Sequence, residues 1–168
     1  KITFHSSLKG LMNKENNPLF EMNYEIIEGD LKLKSIPFAL DNVQMNGDLS
    51  NGEERNFNST KIVSNLFKAK TKNGDINGEF TLTNLNNYFL NSQFKSSWDL
   101  TEVNHYFEDS PFIGLSGRLL TATNYKGNIA FDNRFKRMFL NANHKSDVMF
   151  ENVKFNYKIS PLKFTFES

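Results

Sequence analysis

The sequence contains no cysteine. This absence excludes disulfide bonds, thiolate catalysis and thiolate-bound metals, and it leaves the cellular compartment open. No run approaches the roughly 20 apolar residues that span a bilayer as a helix, and no basic start followed by an apolar segment predicts a signal peptide. Because the first residue is Lys1, in a segment that already has strand character, we expect a piece of a longer protein.

An excess of charge of one sign is also absent. Lys and Arg number 20 against 19 Asp and Glu, which gives a formal net charge of +1. Such a balance provides no basic stripe to neutralise phosphates, so nucleic acid is not predicted as a partner. Aromatic residues, in contrast, are abundant, with 17 Phe, 5 Tyr and 1 Trp. This content is too high for a disordered chain and predicts one folded β-rich unit over residues 1–168.

Alternation of apolar and polar residues with period two is the main signal along the chain. In the segment 75–82, Ile76, Phe80 and Leu82 share one face, and the intervening polar residues share the other. Two further segments alternate in the same way, one with Leu31 and Leu33 and the other with Val153, Phe155, Tyr157 and Ile159. The pattern predicts an all-β fold: an extended, curved, mainly antiparallel sheet that resembles a repeating groove.

Glycine-containing steps between these segments predict tight reversals, so successive strands are expected to pair as hairpins. The predicted turns are Asn46-Gly47-Asp48, Asn51-Gly52, Asn73-Gly74-Asp75 and Lys126-Gly127-Asn128. Gly114 and Gly117 lie in a β-rich context and are interpreted as turns or bulges. A strand predicted at 116–124 is expected to end before a second strand at 126–132.

An internal duplication covers 80–91 and 98–109, which match at a constant offset. Each copy reads as a strand, then Thr83 or Thr101 as a helix N-cap, then about two helical turns with an apolar stripe. The sequence therefore predicts two short amphipathic helices that each cover one face or end of the sheet. The residues of these predicted plugs are Leu85, Tyr88 and Phe89 in the first copy and Val103, Tyr106 and Phe107 in the second.

No pattern in the chain predicts catalysis, a metal site or a cofactor. His5, His105 and His144 are far apart and lack partners at a ligand spacing. The carboxylates in Glu53-Glu54 and Glu108-Asp109 are sequence neighbours that point in different directions, which does not suit an acid and base pair. The sequence therefore predicts a protein that is not an enzyme.

Three features together resemble the AsmA family of bacterial envelope proteins, relatives of TamB. They are the strand and proline step FNYKISPLKF at 155–164, the segment FALDNVQMNGDL at 38–49, and the duplicated units at 80–89 and 98–107. They are spacing motifs rather than a catalytic signature, and they touch about two thirds of the chain.

The resemblance implies a non-enzymatic part of a periplasmic, cell-envelope protein, anchored in the inner membrane by a segment outside this sequence. It further implies an apolar β trough that shields phospholipid acyl chains during outer-membrane biogenesis. An acyl chain gains about 0.8 kcal/mol per buried methylene, so such a trough needs no polar specificity. The candidate groove residues are Leu31, Leu33, Ile76, Phe80, Leu82, Val153, Phe155, Tyr157 and Ile159.

Two alternatives remain open from the sequence. Strands with one dry face also describe a sandwich of two packed sheets, and Trp98 on an exposed aromatic platform would suit a carbohydrate-binding or adhesive module. A third possibility, a glycoside-cleaving β enzyme, would need two carboxylates converging in one cleft, and the sequence offers no evidence of such a pair. The trough requires that Phe80, Leu82, Phe155 and Tyr157 face open space or a ligand, whereas the sandwich requires that they touch a second sheet.

Overall fold

Nine strands and one short helix form in the residues that the structure describes. The computed structural model describes residues 1–13, 17–32, 39–104, 112–129, 142–157 and 163–165. The strands are β1 Ile2–Lys9, β2 Leu19–Lys32, β3 Ala39–Ser50, β4 Lys61–Lys70, β5 Asp75–Thr83, β6 Phe89–Asp99, β7 Phe112–Asn128, β8 Asn143–Tyr157 and β9 Lys163–Thr165; helix α1 is Leu100–Asn104 and lies between β6 and β7.

All nine strands form one sheet in the order of the chain, from β1 to β9. Each strand is antiparallel to the next, so the topology is a simple up-and-down meander. The two end strands do not pair with each other, and the curved sheet is therefore open. The predicted fold class, an extended and mainly antiparallel sheet, is confirmed.

The strand register sorts the side chains onto two chemically different faces. Residues directly opposite each other on paired strands point to the same side of a sheet. Phe4 lies opposite Tyr24, and Tyr24 lies opposite Gly47. On the other side of the same strands, His5 lies opposite Asn23, and Asn23 lies opposite Asp48. The predicted alternation of apolar and polar residues along each strand therefore places apolar residues on one face of the sheet and polar residues on the other.

The predicted turn at Asn46-Gly47-Asp48 is wrong, because this segment lies in the middle of β3. Glycine has a packing role there. The Tyr24 side chain crosses Gly47, and its hydroxyl donates to the Val63 carbonyl at 2.9 Å. A Cβ on Gly47 would lie 1.8 Å from that carbonyl oxygen and 2.8 Å from Tyr24 Oη.

The predicted reversal at Lys126-Gly127-Asn128 is also wrong, because β7 runs unbroken through it. Gly127 lies opposite Leu90 in β6, and a Cβ on Gly127 would lie 2.8 Å from the Ala142 side chain. The Tyr125 hydroxyl donates to the Asn128 carbonyl at 2.7 Å and secures this end of the strand. The other two predicted turns, Asn51-Gly52 and Asn73-Gly74-Asp75, do lie between strands, with Asp75 as the first residue of β5.

The first predicted helix is not present. Thr83 still belongs to β5, Phe89 begins β6, and a short turn joins the two strands. Asn84 adopts a φ of 56°, and its side-chain oxygen accepts from the Asn86 and Asn87 amides at 3.2 and 3.0 Å. An asparagine turn therefore takes the place of the predicted helical turns.

The second predicted helix is present in its first residues as α1. Its cap is Asp99 rather than Thr101, since Asp99 Oδ1 accepts from the Thr101 amide at 2.8 Å. Helix α1 ends at Asn104. Tyr106 and Phe107 lie outside the described residues, as does the side chain of Val103.

Bulges interrupt the ladders at several places. Glu28, Asn42 and Asn152 are non-glycine residues with φ between 51° and 56°, close to shifts of register. Gly114 and Gly117 have φ of 64° and 112° and mark the corresponding shift in β7, which confirms their interpretation as bulges. Beside one such bulge lies the small buried core of Leu40, Val43 and Ala69, with Phe67 and Ile76 packed against it.

Candidate functional site: the apolar face

One face of the sheet carries most of the apolar side chains of the strands, and we call it the apolar face. In β1–β8 its ladder-paired positions carry no Lys, Arg, Asp or Glu in the part of the chain that the structure describes. Its large apolar residues include Ile2, Phe4, Leu8, Phe20, Met22, Tyr24, Ile26, Leu31, Leu40, Val43, Met45, Leu49, Ile62, Phe67, Ile76, Phe80, Leu82, Leu90, Phe94, Trp98, Leu119, Tyr125, Val148 and Phe150.

The opposite side, the polar face, carries the charged residues of the strands. Asn77, Glu79, Gln93 and Lys95 lie here in β5 and β6. Hollows on this face are lined by the same residues together with Ala122 and Asn124. The separation of charge from apolar surface is the chemical feature that distinguishes the two sides.

The apolar face is held together in its centre by aromatic packing. The Phe67 and Phe94 rings meet edge to face across Gly78, with centroids 5.7 Å apart. Phe80 stacks near Phe94 at 6.5 Å. Ser64, opposite Phe80, is only 1% exposed. In the centre of the sheet, neighbouring side chains of the apolar face therefore bury one another.

Burial also acts on the two tyrosines of this face. Tyr24 and Tyr125 are each 7% exposed. Burial raises the pKa of both phenols above the ordinary tyrosine value, because the charged phenolate is disfavoured away from water. Both hydroxyls donate to backbone carbonyls and therefore carry their protons in the folded state.

Towards both ends of the sheet the apolar face is open to solvent. On β1, Ile2, Phe4 and Leu8 are 58% to 65% exposed, and on β8, Val148 and Phe150 are 53% and 58% exposed. Among the described residues, the extensive contacts of each strand are with its sheet neighbours, and helix α1 packs mainly on β7 and β6. No second sheet packs against the apolar face within this part of the chain, so the described strands do not form a sandwich.

Most of the predicted groove residues that the structure describes lie together on this face. Ile76, Phe80 and Leu82 are half-buried near its centre, Leu31 is 38% exposed, and Val153 is 5% exposed. Phe155 pairs with Phe164 of β9. Leu33 and Ile159 lie outside the described residues, as does the side chain of Tyr157.

The predicted helix-plug residues of the first copy lie in the β5–β6 connection and at the start of β6, not in a helix. Leu85 lies in the turn after β5, and its amide donates to the Phe57 carbonyl at 2.7 Å. Tyr88 follows in the same connection, and its carbonyl accepts from Ile129. Phe89 begins β6 opposite Thr83 and Asn128 and points to the polar face. These three residues therefore do not form one apolar stripe.

Sequence reasoning missed the most exposed part of the apolar face. Ile2 and Phe4 alternate within a predicted strand, and this alternation alone could have marked them. On β8 the run Val148-Met149-Phe150 is continuously apolar, so period two is hidden there. The strand register shows which face each residue occupies. Val148 and Phe150 pair with Thr121 and Leu119 on the apolar face, whereas Met149 pairs with Leu120 on the polar face.

Trp98 does not lie on an exposed aromatic platform. It is half-buried at the end of β6, opposite Leu119, and its Nε1 donates to Ser96 Oγ at 2.6 Å. The carbohydrate-binding alternative requires a two-sheet sandwich and an exposed aromatic platform that includes Trp98. The described part of the chain contains neither.

The ionisable residues do not assemble into a centre. His5 lies on the polar face and His144 on the apolar face, and His105 lies outside the described residues. Across the described ranges, no three side chains of His, Asp or Glu are grouped so that they could hold a metal ion. Within the same ranges, no helix has the length and apolar character needed to cross a membrane.

The fold and the face together define an open, single-layered antiparallel sheet with one uncharged apolar side. Comparison with known proteins adds no relative, since no protein-family model, curated protein or solved structure matches the chain.

Proposed function

We propose that this chain is a segment of an AsmA-like protein of the bacterial cell envelope and that its apolar face binds phospholipid acyl chains. The observation that carries the proposal is the exposure of the face at β1 and β8, where Phe4 and Phe150 are both 58% exposed. Exposed apolar surface on a folded protein is typical of a ligand-binding groove, a membrane contact or a protein interface. From the sequence resemblance to the AsmA family, we further propose that the whole protein lies in the periplasm and is anchored in the inner membrane through a segment outside this sequence.

The chemistry of the face suits acyl chains. In the described strands its ladder-paired positions carry no formally charged carboxylate, ammonium or guanidinium group, so a hydrocarbon chain meets no buried charge. Each methylene removed from water contributes about 0.8 kcal/mol, so a chain lying along several rows of the sheet gains enough to be held without specific polar contacts. The polar face, which carries the lysines and carboxylates, keeps the other side of the sheet in water.

The proposal is tested by purifying the protein, extracting it with organic solvent and measuring bound phospholipid by mass spectrometry. Transfer of a fluorescent phospholipid from vesicles gives an affinity. Phe150→Ser is the test variant and Met149→Ser its matched control, because the two neighbours are 58% and 59% exposed but point to opposite faces.

Removing the Phe150 ring is expected to weaken phospholipid binding about tenfold, since burying a large apolar side chain contributes roughly 1.5–3 kcal/mol. Met149→Ser is expected to leave the affinity within about twofold of the unchanged protein. Absence of carried lipid together with absence of transfer would overturn the proposal, and so would equal effects of the two variants.

A further inference from the structure

The apolar face changes character between its two halves. In β1–β5 its rows are filled mainly by Ile, Met, Leu, Val and Phe, whereas in β6–β8 the same rows carry hydroxyl groups among the apolar residues. We call the polar set the hydroxyl patch; its residues are Ser92, Ser96, Thr121, Thr123, Ser146 and His144. The patch concentrates polar side chains in one half of a mainly apolar surface.

Hydrogen bonds connect the patch residues in two groups, Ser96 with Thr121 and Thr123 with Ser146 and His144. Ser96 and Thr121 hydroxyls lie 2.7 Å apart, and Thr123 and Ser146 hydroxyls lie 2.9 Å apart. The Ser146 hydroxyl is 3.0 Å from His144 Nε2. Each hydroxyl can take part in up to three hydrogen bonds, so these pairings leave capacity for a further partner.

Ser92 gives independent support for a bound polar group. It lies between Phe80 and Tyr125 on the apolar face and is only 5% exposed. Its hydroxyl has no hydrogen-bond partner among the described residues. A buried hydroxyl without a partner costs free energy, and a ligand oxygen at this place would remove that cost.

The type of polar group follows from the donors present. Hydroxyl and imidazole groups form the patch, and the ladder-paired positions of the face in the described strands carry no Lys or Arg. A phosphate is bound most strongly by charge-assisted hydrogen bonds from such cations, which this face does not provide. Uncharged ester and hydroxyl oxygens match the patch better.

We infer that the hydroxyl patch binds the glycerol ester region of a glycerolipid, with the acyl chains directed across β5 to β1. This inference rests on the proposed function. Strands lie about 4.8 Å apart, so β1 to β5 extend over about 19 Å, which is about the length of an extended sixteen-carbon acyl chain. The apolar half of the face is thus long enough for the tail, and the patch lies where the polar end begins.

The test compares two probes on the full chain. Diacylglycerol carries the ester region, and diphenylhexatriene is a hydrocarbon without oxygen. The test variant is Thr121→Val/Thr123→Val, which removes two hydroxyls while keeping branched side chains in β7. Thr81→Val is the control, because Thr81 is a half-buried threonine on the polar face.

The double variant is expected to weaken diacylglycerol binding about tenfold, which is the effect of losing one or two hydrogen bonds. Its Kd for diphenylhexatriene is expected to stay within about twofold of that of the unchanged protein.

Phosphatidylethanolamine has the same ester region and is expected to show the same loss. A loss confined to the phospholipid would place its phosphate at the patch and overturn the assignment. Unchanged diacylglycerol binding, or an equal loss for both probes, would also overturn it while leaving acyl-chain binding by the unchanged protein intact. If the unchanged protein binds neither lipid nor diphenylhexatriene, the proposed function fails as well.

Discussion

The Phe94 ring lies directly over Gly78 of the neighbouring strand. A Cβ on Gly78 would be 2.6 Å from Phe94 Cδ1 and 2.1 Å from the Gln93 carbonyl oxygen. Glycine at this position therefore allows the edge-to-face contact of Phe94 with Phe67 across β5. The missing side chain is part of how the apolar face packs.

Gly78→Ala is expected to destabilise the protein by about 1–3 kcal/mol, the usual cost of forcing an extra group into a packed region. The free energy of unfolding is measured by urea denaturation. Asn77→Ala is the control, because Asn77 is the preceding residue and its exposed side chain lies on the polar face. The control is expected to change stability by less than about 0.5 kcal/mol. Equal stability of the two variants would contradict the packing role of Gly78.

Glu102 of α1 fastens the turn between β4 and β5. Its carboxylate accepts from the Asn73 amide at 3.1 Å, from the Lys72 amide at 3.3 Å and from the Thr71 hydroxyl at 3.3 Å. Glu102→Ala is expected to cost about 1–2 kcal/mol, because hydrogen bonds to a charged group are lost together. Amide hydrogen exchange is expected to accelerate at Lys72 and Asn73.

The matched control for this carboxylate is Glu79→Ala, which removes an exposed carboxylate from the polar face of β5. It is expected to leave exchange at the β4–β5 turn unchanged. If Glu102→Ala also leaves exchange at Lys72 and Asn73 unchanged, the carboxylate does not hold this turn.

Asp99 gives a pH-dependent contribution to stability. The Thr101 hydroxyl donates to this carboxylate and, as the main cause, lowers the pKa of Asp99 below its ordinary value. Because the folded pKa is below the unfolded pKa, the stabilisation is present above the ordinary Asp pKa and is lost as the pH falls through the folded pKa. Thr101→Val is expected to raise the pKa of Asp99 towards its ordinary value, as followed by an NMR titration.

The difference in unfolding free energy between Thr101→Val and the unchanged protein is expected to shrink as the pH is lowered through this range. Thr81→Val makes the same substitution far from Asp99 and is expected to leave the Asp99 titration as it was. A titration of Asp99 that does not move in Thr101→Val would contradict the assigned cause.

Much of the fold could be predicted from local alternation. Period two requires only a strand with two unlike sides, so Ile76, Phe80 and Leu82 identify both β5 and its apolar face. The helix predicted around Leu85, Tyr88 and Phe89 failed for a physical reason. The same apolar spacing arises when a turn joins two strands, and the Leu85 amide finds its partner in the distant Phe57 carbonyl.

The hydroxyl patch and the exposed β8 end of the face could not be predicted in the same way. Ser96 and Thr121 become neighbours only through the register of β6 with β7, which local sequence does not contain. Glycine misled the prediction for a related reason. At Gly47 and Gly127 a neighbouring segment packs too closely for a side chain, and neither glycine lies in a turn.

The strand order has a consequence for how the protein comes apart. Since each described strand forms its ladder hydrogen bonds only with the strands before and after it, stability is approximately a sum over successive interfaces, as in linear repeat proteins. Unravelling is therefore expected to proceed inward from the outermost strands, with the aromatic centre around Phe67 and Phe94 opening last. The sheet is thus expected to lose one strand at a time from its ends, while the strands that remain keep their register.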